Sequence, residues 1–202
     1  MTPKAIMIYG PPGSGKGTQA DLLAENLKIK HFDTGKFVEK LVHDPALQHD
    51  QSIQLERKNF ETGKLMTPAF VLEKVSRAAE KIAAAGEGLV FSGSPRTLYE
   101  AFGDANTEGL VSILEGLYGK ENIHVFLINV KPETSIARNS ARGRKKLDEP
   151  EVIKIRLVEY AERTKPIIKK LEDQNYAVTR VDGETSPKAV HQYIVRHLGE
   201  SS

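Results

Sequence analysis

Five apolar residues, Ala5-Ile6-Met7-Ile8-Tyr9, run straight into Gly10-Pro11-Pro12-Gly13-Ser14-Gly15-Lys16-Gly17-Thr18, and this juncture constrains the chain more than any other feature. An apolar run with no polar face reads as a strand buried on both sides of a parallel sheet. Residues 19–27 then place Ala20, Leu23, Ala24 and Leu27 at helical spacing. The glycines therefore sit at a strand-to-helix turn. There the backbone N–H groups of Gly13, Ser14, Gly15, Gly17 and Thr18 can point inward around a phosphate at the positive end of a helix, with Lys16 reaching the outer phosphates of a nucleotide. The hydroxyl that commonly follows the lysine comes one residue later, at Thr18, because Gly17 takes its slot.

The 202 residues suit one domain with a full core, carrying at most small insertions. With no cysteine, a disulfide framework, a thiolate zinc site and a cysteine nucleophile are all excluded. No internal repeat, linker-like tract or apolar window of membrane-span length stands out, and the first residues carry no leader pattern, so a cytoplasmic protein is expected. A net charge of +2 argues against nucleic acid as a specific partner, although Arg138, Arg142, Arg144, Lys145 and Lys146 form a local basic cluster. The six histidines have no metal-ligand spacing among themselves and read as structural or surface groups.

Further buried strands are predicted at residues 29–32, 88–91, 123–130 and 176–181, and helices at 68–85, 98–117, 132–142, 149–173 and 187–198. Several of the helices open on a proline, as first turns often do. Strands alternating with helices mean crossover units and an α/β fold with a central five-stranded parallel sheet between helical layers, ligands lying beyond the carboxyl ends of the strands.

The motifs that follow those strands carry a specific resemblance. Gly10-Pro-Pro-Gly-Ser-Gly-Lys-Gly-Thr-Gln-Ala20, Thr34-Gly35, Gly63-Lys-Leu-Met-Thr67, Gly93-Ser-Pro-Arg-Thr97, Arg138-x-x-x-Arg142, Arg156-Leu-x-x-Tyr160 and Val181-Asp-Gly183 resemble, in content and order, the adenylate kinase family of P-loop nucleoside-monophosphate kinases. The resemblance implies a P-loop core over residues 1–202, a monophosphate-binding insertion near 34–68 and a short lid near 138–148. It implies the Mg²⁺-dependent reaction ATP + AMP ⇌ 2 ADP, catalysed by a monomer. Lys16, Arg96, Arg138, Arg142 and Arg156 would carry catalysis. The P-loop residues, Arg138 and Gly183 would hold ATP, and Thr34, Gly35, Lys36, Leu65, Met66, Thr67, Gly93, Arg96 and Glu100 would hold AMP. Transfer of this kind requires in-line phosphates, neutralised charge and exclusion of water. Only residues 143–147 separate Arg142 from Asp148, so the lid is compact and free of zinc; either Arg144 or Lys145 could supply its cation.

Three positions depart from the family pattern. Where relatives carry Asp-x-x-Arg after the second strand, this chain has Lys36 and Glu39, an exchanged pair expected to bond on one helix face while Lys36 takes over part of the phosphate contact. Ser92 replaces the aspartate that orients water on magnesium, and Asp33 stands where relatives keep serine, so Thr18 and Asp33, the latter through water, are the expected metal partners. Glu100 replaces the glutamine that reads adenine. A carboxylate accepts but does not donate, which makes GMP the leading alternative acceptor. A weakly active nucleotide-binding sensor or scaffold is the rival from another class.

Overall fold

The computed structural model describes residues 3–143 and 145–199. Five strands, β1 (Ala5–Tyr9), β2 (Lys30–Phe32), β3 (Leu89–Phe91), β4 (Ile123–Asn129) and β5 (Val178–Asp182), form one sheet in the order β2-β3-β1-β4-β5. All pairings are parallel. The central strand β1 is buried along its whole length, and its alternation divides the core. Ala5, Met7 and Tyr9 face a layer containing α4 (Pro68–Ala84), α6 (Leu110–Tyr118) and α9 (Lys165–Asp173). Ile6 and Ile8 face α1 (Lys16–Leu27) and α10 (Pro187–His197). Each fully buried aliphatic side chain in these layers contributes about 1.5–3 kcal/mol.

The chain passes from β1 beyond β3 to β2 on one side, and from β3 across β1 to β4 on the other, so a crevice opens beyond the carboxyl end of β1. Between β2 and β3 the chain builds α2 (Thr34–Val42), α3 (Gln51–Glu61) and α4. After β4 come α7 (Pro132–Arg142), a 3₁₀ turn at Lys145–Asp148, and α8 (Pro150–Glu159), which runs through a π-helical turn at Tyr160–Thr164 into α9.

The helix expected over 98–117 is two helices, α5 (Leu98–Phe102) and α6, because the backbone turns sharply at Gly103 and returns at Gly109. A Cβ on Gly103 would lie 1.8 Å from Thr107 O, and one on Gly109 2.4 Å from Phe102 Cα, so neither position admits a side chain and the helical period breaks there.

Candidate active site

The glycine-rich loop folds as a turn between β1 and α1. Ser14 N donates to Pro11 O (3.1 Å), and Gly15, in the left-handed region at φ 94°, hands the chain to the helix that starts at Lys16. The Lys16 ammonium donates to Gly10 O (2.6 Å) and Pro11 O (2.9 Å), with Ser14 Oγ at 3.4 Å. The far side of the loop leans on α7, where the Ser135 hydroxyl donates to Pro12 O and Asn139 Nδ2 to Ser135 O (2.7 Å). Gly13, at φ 83°, makes that approach possible: a Cβ there would lie 2.5 Å from Ser135 O and 2.6 Å from Asn139 Nδ2. Gly13→Val combines a left-handed β-branched residue with that collision, so it should cost about 2–4 kcal/mol of stability in thermal unfolding and weaken ATP binding at least about tenfold.

The ends of β2 and β3 form the second wall. Their register pairs Phe32 with Phe91, which brings the following residues Asp33 and Ser92 to neighbouring strand ends, as expected from the sequence. Asp33 caps α2, its Oδ1 accepting from Lys36 N (3.1 Å). Lys36 Nζ lies 3.7 Å from Asp33 Oδ2. Among the described residues this pairing stands in place of the expected Lys36–Glu39 bond, because the helix-capping carboxylate sits within the same reach. Arg96 Nε donates to Gly93 O (2.6 Å), and a Cβ on Gly93 would lie 2.8 Å from Arg96 Nη2, so glycine makes room for the guanidinium. Glu100 is buried beneath: its Oε2 accepts from Arg96 N (2.8 Å), and its Oε1 lies 3.1 Å from the Thr97 hydroxyl that accepts from Glu100 N. Thr97 caps α5, and the Glu100 carboxylate reaches back to the N–H one residue ahead of the cap, a variant of the capping box. Burial pushes the Glu100 carboxyl up, opposed by the bonds from Arg96 and Thr97. Since both oxygens serve the helix start, the guanine reading loses the free carboxylate on which it rested.

The third wall comes from the far side of the sheet. Arg142 grips the buried Asp148 with Nη2 on Oδ1 (2.5 Å) and Nε on Oδ2 (3.1 Å), while Arg156 Nη1 donates to Leu147 O (3.1 Å) and lies 3.6 Å from Asp148 Oδ1. Thr164, on the π turn, donates to Arg96 O (2.9 Å) and ties this wall to the second. Such turns recur where a helix is bent for a functional purpose.

Between the walls lies a cleft of about 410 Å³, on which Lys16, Arg96, Arg142 and Arg156 converge, with Thr18, Asp33 and Lys36 also on its surface. A side pocket of about 40 Å³ runs from it beneath Thr34, Leu65 and Met66 to Glu100. Burial, then the positive charges of Arg96, Arg156 and Arg142, hold Lys16 down at about 7, with Asp33 opposing. The folded value lies below the ordinary 10.5, so the empty fold is penalised fully below about pH 7 and relieved as pH rises from there toward 10.5. A bound polyanion reverses that field and returns the proton to Lys16. Nucleotide binding near pH 8 should therefore take up protons, and affinity should fall as pH rises through this window. Calorimetry in buffers of different ionisation enthalpy checks it; a heat independent of buffer contradicts it.

Not every expected site residue reaches the cleft. Arg138 is half-buried on α7 and its charge acts on Glu184, which caps the same helix through Lys131 N (2.6 Å) and Thr134 (2.9 Å). Gly183 fits between β4 and β5, where a Cβ would lie 2.6 Å from Ile128 Cγ2, and Thr67 N donates to Glu56 Oε2 (3.0 Å) at the start of α4. Arg144 lies outside the described residues, as do the side chains of Lys145 and Lys146. His31, read from spacing as structural or surface, instead bridges Asp21 and the cleft residue Ser92 at 2.7 Å on either side. No sequence signal marked it, since the contact depends on the β2–β3 register.

A parallel sheet whose central strand feeds a glycine loop, a lysine at the following helix start and three converging arginines define a P-loop protein that handles phosphate esters. The family profile described as adenylate kinase matches residues 8–176. An adenylate kinase of Nocardia farcinica is 33% identical over 195 residues, covering 96% of this chain and 98% of that protein. The adenylate kinase of Thermus thermophilus is 32% identical over 201 residues, 97% of each chain, and adenylate kinase 1 of a Nostoc strain is 30% identical over 198 residues, 96% of this chain and 98% of that one. The chain belongs to the adenylate kinase family.

Proposed function

We propose that the protein transfers the terminal phosphoryl group of ATP to AMP, reversibly giving two ADP, as the names of its full-length relatives suggest. The observation that carries this reading is the convergence of Lys16, Arg96, Arg142 and Arg156 on one cleft between a P-loop and a side pocket. Four cations converging on one cavity suit a phosphate ligand, and the two arms of the cavity offer places for two nucleotides.

In this reading the loop amides from Gly13 to Thr18 and Lys16 hold the donor phosphates. Lys16 leaves the Gly10 and Pro11 carbonyls to do so. Arg96, with Lys36 beside the α2 start, holds the acceptor phosphate, while Thr34, Gly35, Leu65, Met66 and Gly93 enclose its nucleoside and Thr67 closes the far end. Arg142 and Arg156 face the group in transit from the lid side and neutralise charge that grows at the transition state. Arg138 and Gly183 lie off the cleft and would meet only the part of the donor nucleoside that projects beyond it. Residues 34–68 act as the acceptor-binding insertion and 138–148 as the lid, whose burial of the cleft excludes water.

Among the described residues no cluster of three metal-ligating side chains occurs. The exposed Thr18 hydroxyl and the Asp33 carboxylate on the cleft wall fit a magnesium ion, which takes one or two protein oxygens and completes its shell with water and phosphate oxygens. When bound, Mg²⁺ neutralises phosphate charge. Among the described residues no helix is long and apolar enough to cross a membrane. In this reading the protein acts on small nucleotides as a monomer in the cytoplasm.

A coupled assay with Mg-ATP and each monophosphate in turn tests the proposal. Turnover with AMP far above GMP is expected. GMP preference would overturn the acceptor, and ATP binding without any turnover would replace the enzyme by a nucleotide-binding scaffold.

A further inference from the structure

The cleft holds a second constellation that transfer between nucleotides does not use. His31 Nδ1 lies 2.7 Å from Asp21 Oδ1, and His31 Nε2 lies 2.7 Å from Ser92 Oγ. A carboxylate only accepts, so Nδ1 carries the proton; in the neutral ring Nε2 then accepts from the Ser92 hydroxyl. Nucleophile, base and orienting acid thus stand in the order that activates a serine, with the base held in the tautomer the chemistry needs. The histidine side chain is 9% exposed, which fixes its orientation, and Asp21 and Ser92 both line the cleft. Three elements assemble the set: α1 supplies Asp21 from the helix that begins at Lys16, β2 supplies His31, and the end of β3 supplies Ser92. Ser92 therefore looks into the cavity where Lys16 and Arg96 neutralise phosphate, the stabilising half that an activated serine alone would lack.

We propose that Ser92 is itself a phosphoryl acceptor: when no acceptor nucleotide is bound, its hydroxyl takes the terminal phosphoryl group of a bound nucleoside triphosphate. The bond from Ser92 Oγ to phosphorus forms as the bond from phosphorus to the bridging β-phosphate oxygen breaks. That electron pair leaves with the nucleoside diphosphate. The hydroxyl proton passes to His31 Nε2, and the Asp21 carboxylate faces the resulting imidazolium. The products are a phosphoserine on the wall of the cleft and the nucleoside diphosphate. The inference rests on ATP occupying the P-loop, as proposed above.

The test incubates the full chain with Mg-ATP carrying a labelled terminal phosphate and no AMP, then maps the label by peptide mass spectrometry, while ADP formation from ATP and AMP is followed in the same preparation. Label on Ser92 is expected, diminished by added AMP and absent in Ser92→Ala. His31→Gln should slow labelling about 100-fold and Asp21→Asn about tenfold. Equal ATP affinity in the variants shows that their folds and P-loops are intact. AMP turnover with no phosphate on Ser92 overturns the inference while leaving the kinase reading standing. Labelling as fast in His31→Gln as in the parent overturns the role of the triad. Absence of both turnover and label overturns the two together.

Discussion

Lys16→Met should lower turnover of ATP and AMP by about 10³-fold, the loss that follows removal of a donor aimed at developing phosphate charge. The same substitution should leave the empty protein no less stable, and should raise its thermal midpoint by about 2–4 °C for each kcal/mol gained. The two effects share one cause. In the absence of phosphate the ammonium is enclosed by loop carbonyls and faces three arginines, which together with burial bring it down to about 7. Methionine keeps the length of the side chain and removes the charge that the empty fold disfavours. Strain held at a site in this way is the familiar cost of pre-organisation. A turnover assay and a melting curve on the same preparation check both halves. Lowered stability with lost turnover would mean that the bonds to Gly10 and Pro11 outweigh the repulsion.

Local chemistry made much of this arrangement legible in the sequence. The apolar run before Gly10, the glycines and the helical spacing after Thr18 act over a few residues, so strand, loop and helix followed from pattern alone. Prolines at the starts of α4, α7 and α10 marked those helices for the same reason. What escaped depends on distant partners. The break at Gly103 and Gly109 is set by close backbone approach rather than by apolar period. The bridge from Asp21 through His31 to Ser92 exists only because β2 pairs with β3, and nothing in a histidine's neighbours along the chain reports that register. Glu100 misled in the opposite direction. Its position four residues after Arg96 suggested a base reader, whereas Thr97-x-x-Glu100 is also the sequence pattern of a capping box, and the N–H of Arg96 just ahead of the helix claims the carboxylate. Lys36 likewise turned to Asp33, three residues back, because a capping carboxylate already stood there.

Arg156→Ala should reduce kcat by about 10²–10³-fold while the KM for ATP changes only a few-fold, because its charge is placed against the group in transit. The position is built for arginine. Gly63, at φ 77°, packs against the stem, where a Cβ would lie 3.2 Å from Arg156 Cγ, and Leu147 O and Asp148 fix the guanidinium from the lid. Arg142 remains on Asp148 through two bonds, so the buried carboxylate keeps its principal partner and the variant should fold with little loss of stability. Arg156→Lys restores the charge but not the planar fork that can serve a lid carbonyl and a phosphate together, and should stay about tenfold or more below the parent. The decisive measurement is single-turnover transfer at saturating ATP and AMP. A fall confined to KM would make Arg156 a binding group for the ground state. Equal rates for the lysine variant and the parent would mean that charge alone, without the fork, is what the lid side contributes.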